Sequence, residues 1–333
     1  MSERLLRVAF CGTGRMGAEM VGVLTRQGFP VTIWNRTAER AVATAGRTGA
    51  EVAPTPALAG KDADVVITML TDGQAVLRTL ARDDGVLAGV REGTIVVDCS
   101  TIGVHAAREA AELCAAAGMR FLDCPVSGST AVAREGRLGL MAGGDPAVIH
   151  AARPVLAALG TVVHVGPTGA GAAAKVAVNA LLHTFSTALS ECLVTARASG
   201  VSADSFFDVL AAGVLWNRFL DYKRPAFTDP AGTQVAFDLG TATKDLGLAV
   251  TAGDDAGLQE SVVRRAFELH EHALDDGFGT RDMAAMAAWF AATAGRAGHS
   301  GTAGRAGHSG TAGRAGHSAA AGKGAPGRAT ERK

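Results

Sequence analysis

The sequence predicts an α/β protein: a doubly wound, mostly parallel sheet followed by an all-helical region entered through one long helix. Three observations carry this. Short apolar, β-branched runs alternate with helical spacing as far as Val165. Strand signals then fade. A glycine- and alanine-rich segment, Gly166 to Asn179 (GPTGAGAAAKVAVN), leads at that point into a helix expected to reach about Ser199. β-Branched runs between helices are the sequence signature of a parallel sheet covered on both faces. The expected divisions are 1–165 for the sheet domain, 166–293 for the helical domain and 294–333 for a tail.

A chain of 333 residues suits two domains, and a hydrophobic content of 48% is enough for sizeable cores. The five cysteines are scattered, with no CxxC pair and no metal-ligand spacing, as expected of small buried hydrophobes in a reducing cytoplasm. The N-terminal MSERLLRVAFCGTG does not read as a signal peptide, because its apolar run is short and enters a glycine loop. The long apolar helix is interrupted by Lys175, His183 and Glu191, so no membrane span is expected. The net charge of zero hides an asymmetry. From Ala294 onward there are seven basic residues and one acid, leaving 25 basic against 31 acidic in the body. An acidic body argues against nucleic-acid binding.

Taken in order, Leu5 to Cys11 is a strand ending in Gly12-Thr13-Gly14-Arg15-Met16-Gly17. Met16, Met20, Val21 and Leu24 recur at helical spacing, Gly28 is a natural C-cap, and Val31 to Trp34 is the next strand. Strand, GxGxxG, helix and strand within about thirty residues is the context a dinucleotide-binding Rossmann fingerprint requires. The glycines permit a tight turn and close backbone approach to a pyrophosphate at the helix N-terminus. An NAD site usually ends the second strand with an acid, which would repel a 2′-phosphate. Here that end reads Asn35-Arg36-Thr37, which can hydrogen-bond or pair with one, so NADP(H) is expected over NAD(H).

Val65 to Leu70 is a further strand, followed by Thr71-Asp72-Gly73. Thr94 to Cys99 ends at Ser100-Thr101, and Phe121 to Cys124 enters Pro125-Val126-Ser127-Gly128-Ser129. Val162 to Val165 is expected as the last strand. Ligands bind beyond the carboxyl ends of such strands, where Leu70, Thr71, Ser100, Thr101 and Ser127 to Ser129 would lie. Taken singly, each is also an ordinary turn or helix cap.

Helices are expected over about 170–199, 202–212, 216–223, 233–253, 255–276 and 280–292. On the first, Lys175 and Asn179 share a face, which His183, Ser186 and Ser190 extend as a polar stripe. Val176, Leu181, Leu182, Phe185 and Leu189 form the apolar side. A lysine near a helix start sits against the macrodipole. It is either an exposed surface residue or a catalytic lysine whose pKa its site lowers. KDLGLA at 244–249 has packed leucines, and its Asp245 is either structural or paired with a base. Trp216, Asn217, Phe237 and Asp238 are candidate pocket residues of the helical region. From Gly295 a nine-residue unit repeats (GRAGHSGTA), rich in glycine and with nothing apolar larger than Ala, and is expected to be disordered.

Four motifs now stand in order: GTGRMG, DCPVSGS at 123–129, GPTGAGAAAKVAVN and KDLGLA. Together they resemble the β-hydroxyacid dehydrogenase family, the group around 3-hydroxyisobutyrate dehydrogenase and the glyoxylate/succinic semialdehyde reductases. The resemblance covers about residues 5–292. It implies that Lys175 is the catalytic acid/base and that Asn179 helps hold the substrate. Ser127, Gly128 and Ser129 would receive the substrate carboxylate. Ser100 and Thr101 would flank the nicotinamide, and Lys244 would stand at the cleft between cofactor and substrate. It also implies a homodimer or homotetramer acting on a small carboxylate-bearing hydroxy acid or aldehyde acid. Ser129, where many members have glycine, and the Asn35 to Thr37 triplet point to the NADPH-dependent reductases. An imine reductase on the same fold is the alternative, against which Lys175 argues. A non-catalytic NADP-binding protein is a further one, against which Lys175 and Asn179 together argue.

Overall fold

The computed structural model describes residues 5–301. The sheet begins with β1 (Val8–Cys11), α1 (Arg15–Arg26), β2 (Val31–Trp34), α2 (Ala38–Thr48) and the short β3 (Glu51–Val52). The chain then crosses to the other side of β1. There it lays down α3 (Pro56–Gly60), β4 (Val65–Thr68), α4 (Gly73–Ala81), α5 (Val86–Gly89), β5 (Ile95–Asp98), α6 (Gly103–Ala116) and β6 (Arg120–Asp123). The spatial order is β3-β2-β1-β4-β5-β6, parallel throughout this part. The order reverses at β1, which creates a crevice beyond the carboxyl end of the sheet. Every residue of β1, β4 and β5 is buried. Alternation sends Val8 and Phe10 into one apolar layer and Ala9 and Cys11 into the other.

The far edge departs from the parallel rule. It is built from β7 (Val126–Ser127), α7 (Thr130–Arg134), β8 (Leu138–Gly143), α8 (Pro146–Leu159) and β9 (Gly160–Gly166). β8 runs antiparallel to both β6 and β7, and β9 runs parallel to β8. The sequence reading has no strand at β3, β7 or β8. Two of these are too short to show a period. β8 reads LGLMAG, without a β-branched residue, and forms because Leu138, Leu140 and Ala142 are buried in the core.

The helical part comprises α9 (Ala170–Ala198), α10 (Ala203–Ala212), α11 (Arg218–Thr228), α12 (Leu239–Asp255), α13 (Val262–Asp275), a 3-10 turn (Met283–Ala285) and α14 (Met286–Gly301). Side-chain caps explain the corrected boundaries. Asn217 caps α11, which continues through Pro225 beyond the expected end at 223. Asp238 starts α12 by accepting the Thr241 N–H at 2.9 Å, and Ser261 starts α13 by accepting that of Arg264 at 3.0 Å. The last helix runs into the first repeat unit, past the expected tail boundary at 294. The remaining repeats lie outside the described residues.

The polar stripe of α9 faces inward, together with Val176 and Leu189 of its apolar side. Asn179, His183, Ser186 and Ser190 are all buried, whereas Leu181 is 75% exposed. Packing of α9 against α12 and α13 provides partners for the inward side, such as Asp245 for Asn179 and His270 for Thr187.

Two buried carboxylates end adjacent strands, Asp98 on β5 and Asp123 on β6, and they are paired in register. Asp98 Oδ1 accepts the hydroxyls of Thr68 at 2.6 Å and Ser100 at 2.7 Å, and Ser100 Oγ accepts the Leu70 N–H at 2.8 Å. Burial pushes the Asp98 carboxyl up to about 6, against the pull of these hydroxyls. Asp123 accepts the N–H groups of Gly169 and Ala172, each at 2.8 Å, and so closes the first turn of α9, whose own N-cap Gly169 has no side chain to do it. The helix start lies flat on the sheet. A Cβ on Gly171 would overlap the carbonyl oxygens of Asp123 and Met141.

Gly171→Ala is therefore expected to lower stability by about 1–3 kcal/mol, as overpacking does, measured by urea unfolding. Asp98 makes a pH prediction. Between the ordinary carboxylate value of about 3.9 and its own value of about 6, folded Asp98 keeps a proton that the unfolded chain has lost. Its contribution to stability thus falls as pH rises through that window. The stability advantage of wild type over Asp98→Asn should shrink from pH 4.5 to pH 7 in parallel urea titrations.

Candidate active site

At the crevice, Gly12 has φ +109°, and a Cβ there would meet the Met69 carbonyl. A Cβ on Gly17 would meet the Gly12 carbonyl, so both glycines serve the tight strand–helix turn. Gly14, by contrast, faces open space and is the N-cap of α1, with no side-chain cap. This is a cradle of free helix-start amides that fits a pyrophosphate. Asn35 Oδ1 accepts the Thr13 N–H at 3.0 Å, and its Nδ2 donates to the Thr37 carbonyl at 2.9 Å. Asn35 thus braces the loop, and the exposed Arg36 and Thr37 are the side chains left at the end of β2 to meet a 2′-phosphate.

Arg15, read from the sequence as a cofactor residue, has its guanidinium engaged elsewhere. It donates to the Val235 carbonyl and to Asp238 Oδ2, both at 2.9 Å. It therefore joins the glycine loop to the strap 235–238 that precedes α12. Asp282 anchors the other side of this strap, accepting from Ala236 N, Phe237 N and the buried Lys223. Neither Asp282 nor the Arg15 link was legible in the sequence, because their partners lie tens to hundreds of residues away.

The strap carries Phe237, whose ring stacks on His183 with centroids 5.3 Å apart. Next to it is the charged cluster. Asp245, 2% exposed, accepts Asn179 Nδ2 at 2.6 Å, and Lys244 Nζ stands 3.0 Å from its other oxygen. Lys244 also donates to the carbonyls of Thr101 at 2.8 Å and Thr71 at 3.2 Å. One ammonium thereby spans from the carboxyl ends of β4 and β5 to α12. Burial alone would raise the Asp245 carboxyl, but the nearby His183 and then Lys244 hold it below the ordinary value. Lys175 is half-buried one turn before Asn179. Burial lowers its pKa, the Asp245 charge opposes that shift, and Lys244 adds to it.

The structure thus brings together Lys175, Asn179, Lys244, Asp245, Thr71 and Thr101. Ser127 lies on β7 opposite Gly139 of β8, and the Met141 N–H bonds the Pro125 carbonyl beside the spot where Gly171 rests. That places the PVSG turn at the same corner as the start of α9. Gly128 has φ +144°, and Ser129 caps α7 through the Val132 N–H. Among the other candidates, Trp216 packs into an apolar cluster with Phe206 and Leu220, and Asn217 caps α11. Among the described residues there is no His/Cys/Asp/Glu group suited to a metal, and no helix is long and apolar enough to cross a membrane.

Comparison with known proteins shows the family. Residues 7–166 match the family model described as the NAD binding domain of 6-phosphogluconate dehydrogenase. Residues 169–290 match the one described as NAD-binding of NADP-dependent 3-hydroxyisobutyrate dehydrogenase. The chain is 34% identical over 282 residues to glyoxylate/succinic semialdehyde reductase 1 of Arabidopsis thaliana, covering 84% of this chain and 97% of that protein. It is 33% identical to the NAD-dependent L-serine dehydrogenase of Pseudomonas aeruginosa, covering 87% and 99%. Its fold superposes on the solved 3-hydroxyisobutyrate dehydrogenase of Mycobacterium tuberculosis with L-serine. The TM-score is 0.77 and the identity 34%, over 86% of this chain and 99% of that one.

Proposed function

The chain belongs to the β-hydroxyacid dehydrogenase family of NAD(P)-dependent oxidoreductases, and from that premise we propose that it interconverts a small aldehyde acid and its hydroxy acid with NADP(H), using Lys175 as general acid/base. The observation that carries this reading is the half-buried Lys175, its pKa lowered, one turn from an Asn179 held by Asp245. When bound, the reduced nicotinamide supplies the hydride. Protonated Lys175 stabilises the negative charge that builds on the carbonyl oxygen and donates the proton that completes the alcohol. In the oxidation direction neutral Lys175 accepts that proton. Asn179, its amide fixed by Asp245, orients the reacting group. Ser127 and Gly128, at the corner where α9 begins, receive the substrate carboxylate, with Ser129 holding their turn as the cap of α7. Lys244 ties the two halves of the cleft together.

The preference for NADP(H) rests on Arg36 and Thr37, exposed at the end of β2 without an acid to repel a 2′-phosphate. The names of the relatives, one a semialdehyde reductase and one acting on L-serine, support a substrate with a carboxylate and a short second function. Leu181 and Val178 on the outward side of α9, 75% and 44% exposed, support assembly as a homodimer or homotetramer. The free cysteines, four of them buried, suit the cytoplasm.

The test is NADPH and NADH absorbance with glyoxylate, succinic, methylmalonate and tartronate semialdehydes, and in reverse with 3-hydroxyisobutyrate and serine. NADPH oxidation by one of the aldehyde acids is expected. NADPH binding with no turnover of any would overturn the reading. Lys175→Ala should cut turnover by about 10²–10⁴-fold, the scale of losing a general acid, while NADPH binding survives in a fluorescence titration. Because the acid form drives reduction, the reduction rate should fall, and the oxidation rate rise, as pH increases through the lowered Lys175 value. Arg36→Ala should raise KM for NADPH about tenfold or more, as loss of a charge-assisted phosphate contact does, with little change for NADH.

A further inference from the structure

His183 lies two turns beyond Lys175 and one beyond Asn179 on the same face of α9. It is 0% exposed, and neither ring nitrogen has a hydrogen-bond partner. An imidazole so buried is costly unless something in its surroundings compensates. Two neighbours define what it does. One face stacks on Phe237 of the strap, and Nε2 stands 3.6 Å from Asp245 Oδ2, the same oxygen that accepts Asn179. At that separation the pair is an electrostatic contact, about 0.4 Å beyond the ordinary hydrogen-bond range.

Two further titratable groups, His270 and Lys244, neighbour this contact. On α13, His270 is held neutral, its pKa pushed down to about 3 by burial and, less, by His183. Thr187 donates its hydroxyl proton to the His183 carbonyl, so its oxygen accepts from His270 Nε2 at 2.9 Å. His270 is thereby occupied within the seam between α9 and α13 and does not compete for Asp245. On α12, Lys244 holds the opposite oxygen of Asp245. The carboxylate thus has Lys244 at one oxygen, and at the other the Asn179 donor with His183 Nε2 3.6 Å away.

We propose that His183 is a positioning residue: clamped by Phe237, its Nε2–H holds Asp245 in the orientation that fixes the Asn179 amide toward the substrate. The inference rests on the reading of Asn179 as a substrate-holding residue. It also gives the strap a role, because Phe237, seated through Asp282 and the Arg15 link, sets the ring plane.

The test separates the ring nitrogen from the ring volume. His183→Phe keeps the stack and loses the N–H, whereas His183→Gln keeps a donor toward Asp245. Steady-state kinetics with the aldehyde acid, NADPH dissociation constants from fluorescence, and the double variant with Asn179→Ala complete the set. H183F should lower kcat/KM by about 10–100-fold, the scale of losing a hydrogen bond to a charged group, with NADPH affinity unchanged. H183Q should recover most of that loss. The double variant should be no worse than Asn179→Ala alone, because both act through one interaction. Near-wild-type activity of H183F, equal losses in H183F and H183Q, or losses that multiply in the double variant would each overturn the proposal. If H183F does not fold, His183→Leu takes its place in the same comparisons. Wild-type turnover is the control. None in the wild type counts against the proposed function; turnover with an unaffected H183F counts against His183 alone.

Discussion

The arrangement depends first on one carboxylate. Asp123 closes the sheet's parallel run at β6 and, with the same side chain, caps a helix that begins 46 residues later in the chain. A buried carboxylate facing helix-start amides meets both charge-assisted hydrogen bonds and the positive end of the helix dipole. Burial still raises its pKa on balance, so the cap is held at a desolvation cost. Gly171 and Gly143 make room for it, since a Cβ on either would run into the Asp123 side chain or carbonyl. The consequence is a fixed starting point and direction for α9, and hence a fixed position for Lys175 relative to the carboxyl edge of the sheet.

A second constraint ties the helical part to that edge. Lys244 is held simultaneously by Thr71 and Thr101, which follow β4 and β5, and by Asp245 on its own helix. The cation offsets a buried anion, and the anion orients Asn179. Lys175 shares the same field: the Asp245 charge raises its pKa and Lys244 lowers it, while desolvation is the larger effect. Lys175 is therefore shifted mainly by burial, with the two neighbouring charges acting in opposite directions. The strap 235–238 closes the remaining side, held at one end by Arg15 from the glycine loop and at the other by Asp282 with Lys223. In this way Arg15 of the dinucleotide motif reaches the strap beside the Asn179–Asp245 pair through two hydrogen bonds.

The local signals in the chain were strong where periodicity and turn chemistry act over short range. The glycine loop, the β-branched strands β1, β2, β4 and β5, the long helix and the Lys175–Asn179 spacing were all legible from the residues themselves. Caps such as Asp238 and Ser261 moved helix starts by several residues, because a cap is recognised only when the chain actually turns there. β8 was invisible because its glycine-rich run is stabilised by neighbours on both sides and not by its own propensity.

What the sequence determined by itself was the fold class, the dinucleotide loop and the placing of Lys175 and Asn179 on one helix face, since each follows from residue type and spacing over one or two turns. The tertiary structure decided which face of α9 is inside. A stripe of Asn, His and Ser reads as solvent-facing from hydropathy alone, yet it is buried because α12 and α13 bring Asp245 and His270 against it. It also placed Asn35 against the glycine loop and Arg15 against the strap 235–238, and gave Asp98, Asp123 and Asp282 their buried partners. The physical reason is the same in each case. A polar group's role depends on which partner satisfies it, and here the partners are brought close by folding from distant parts of the chain.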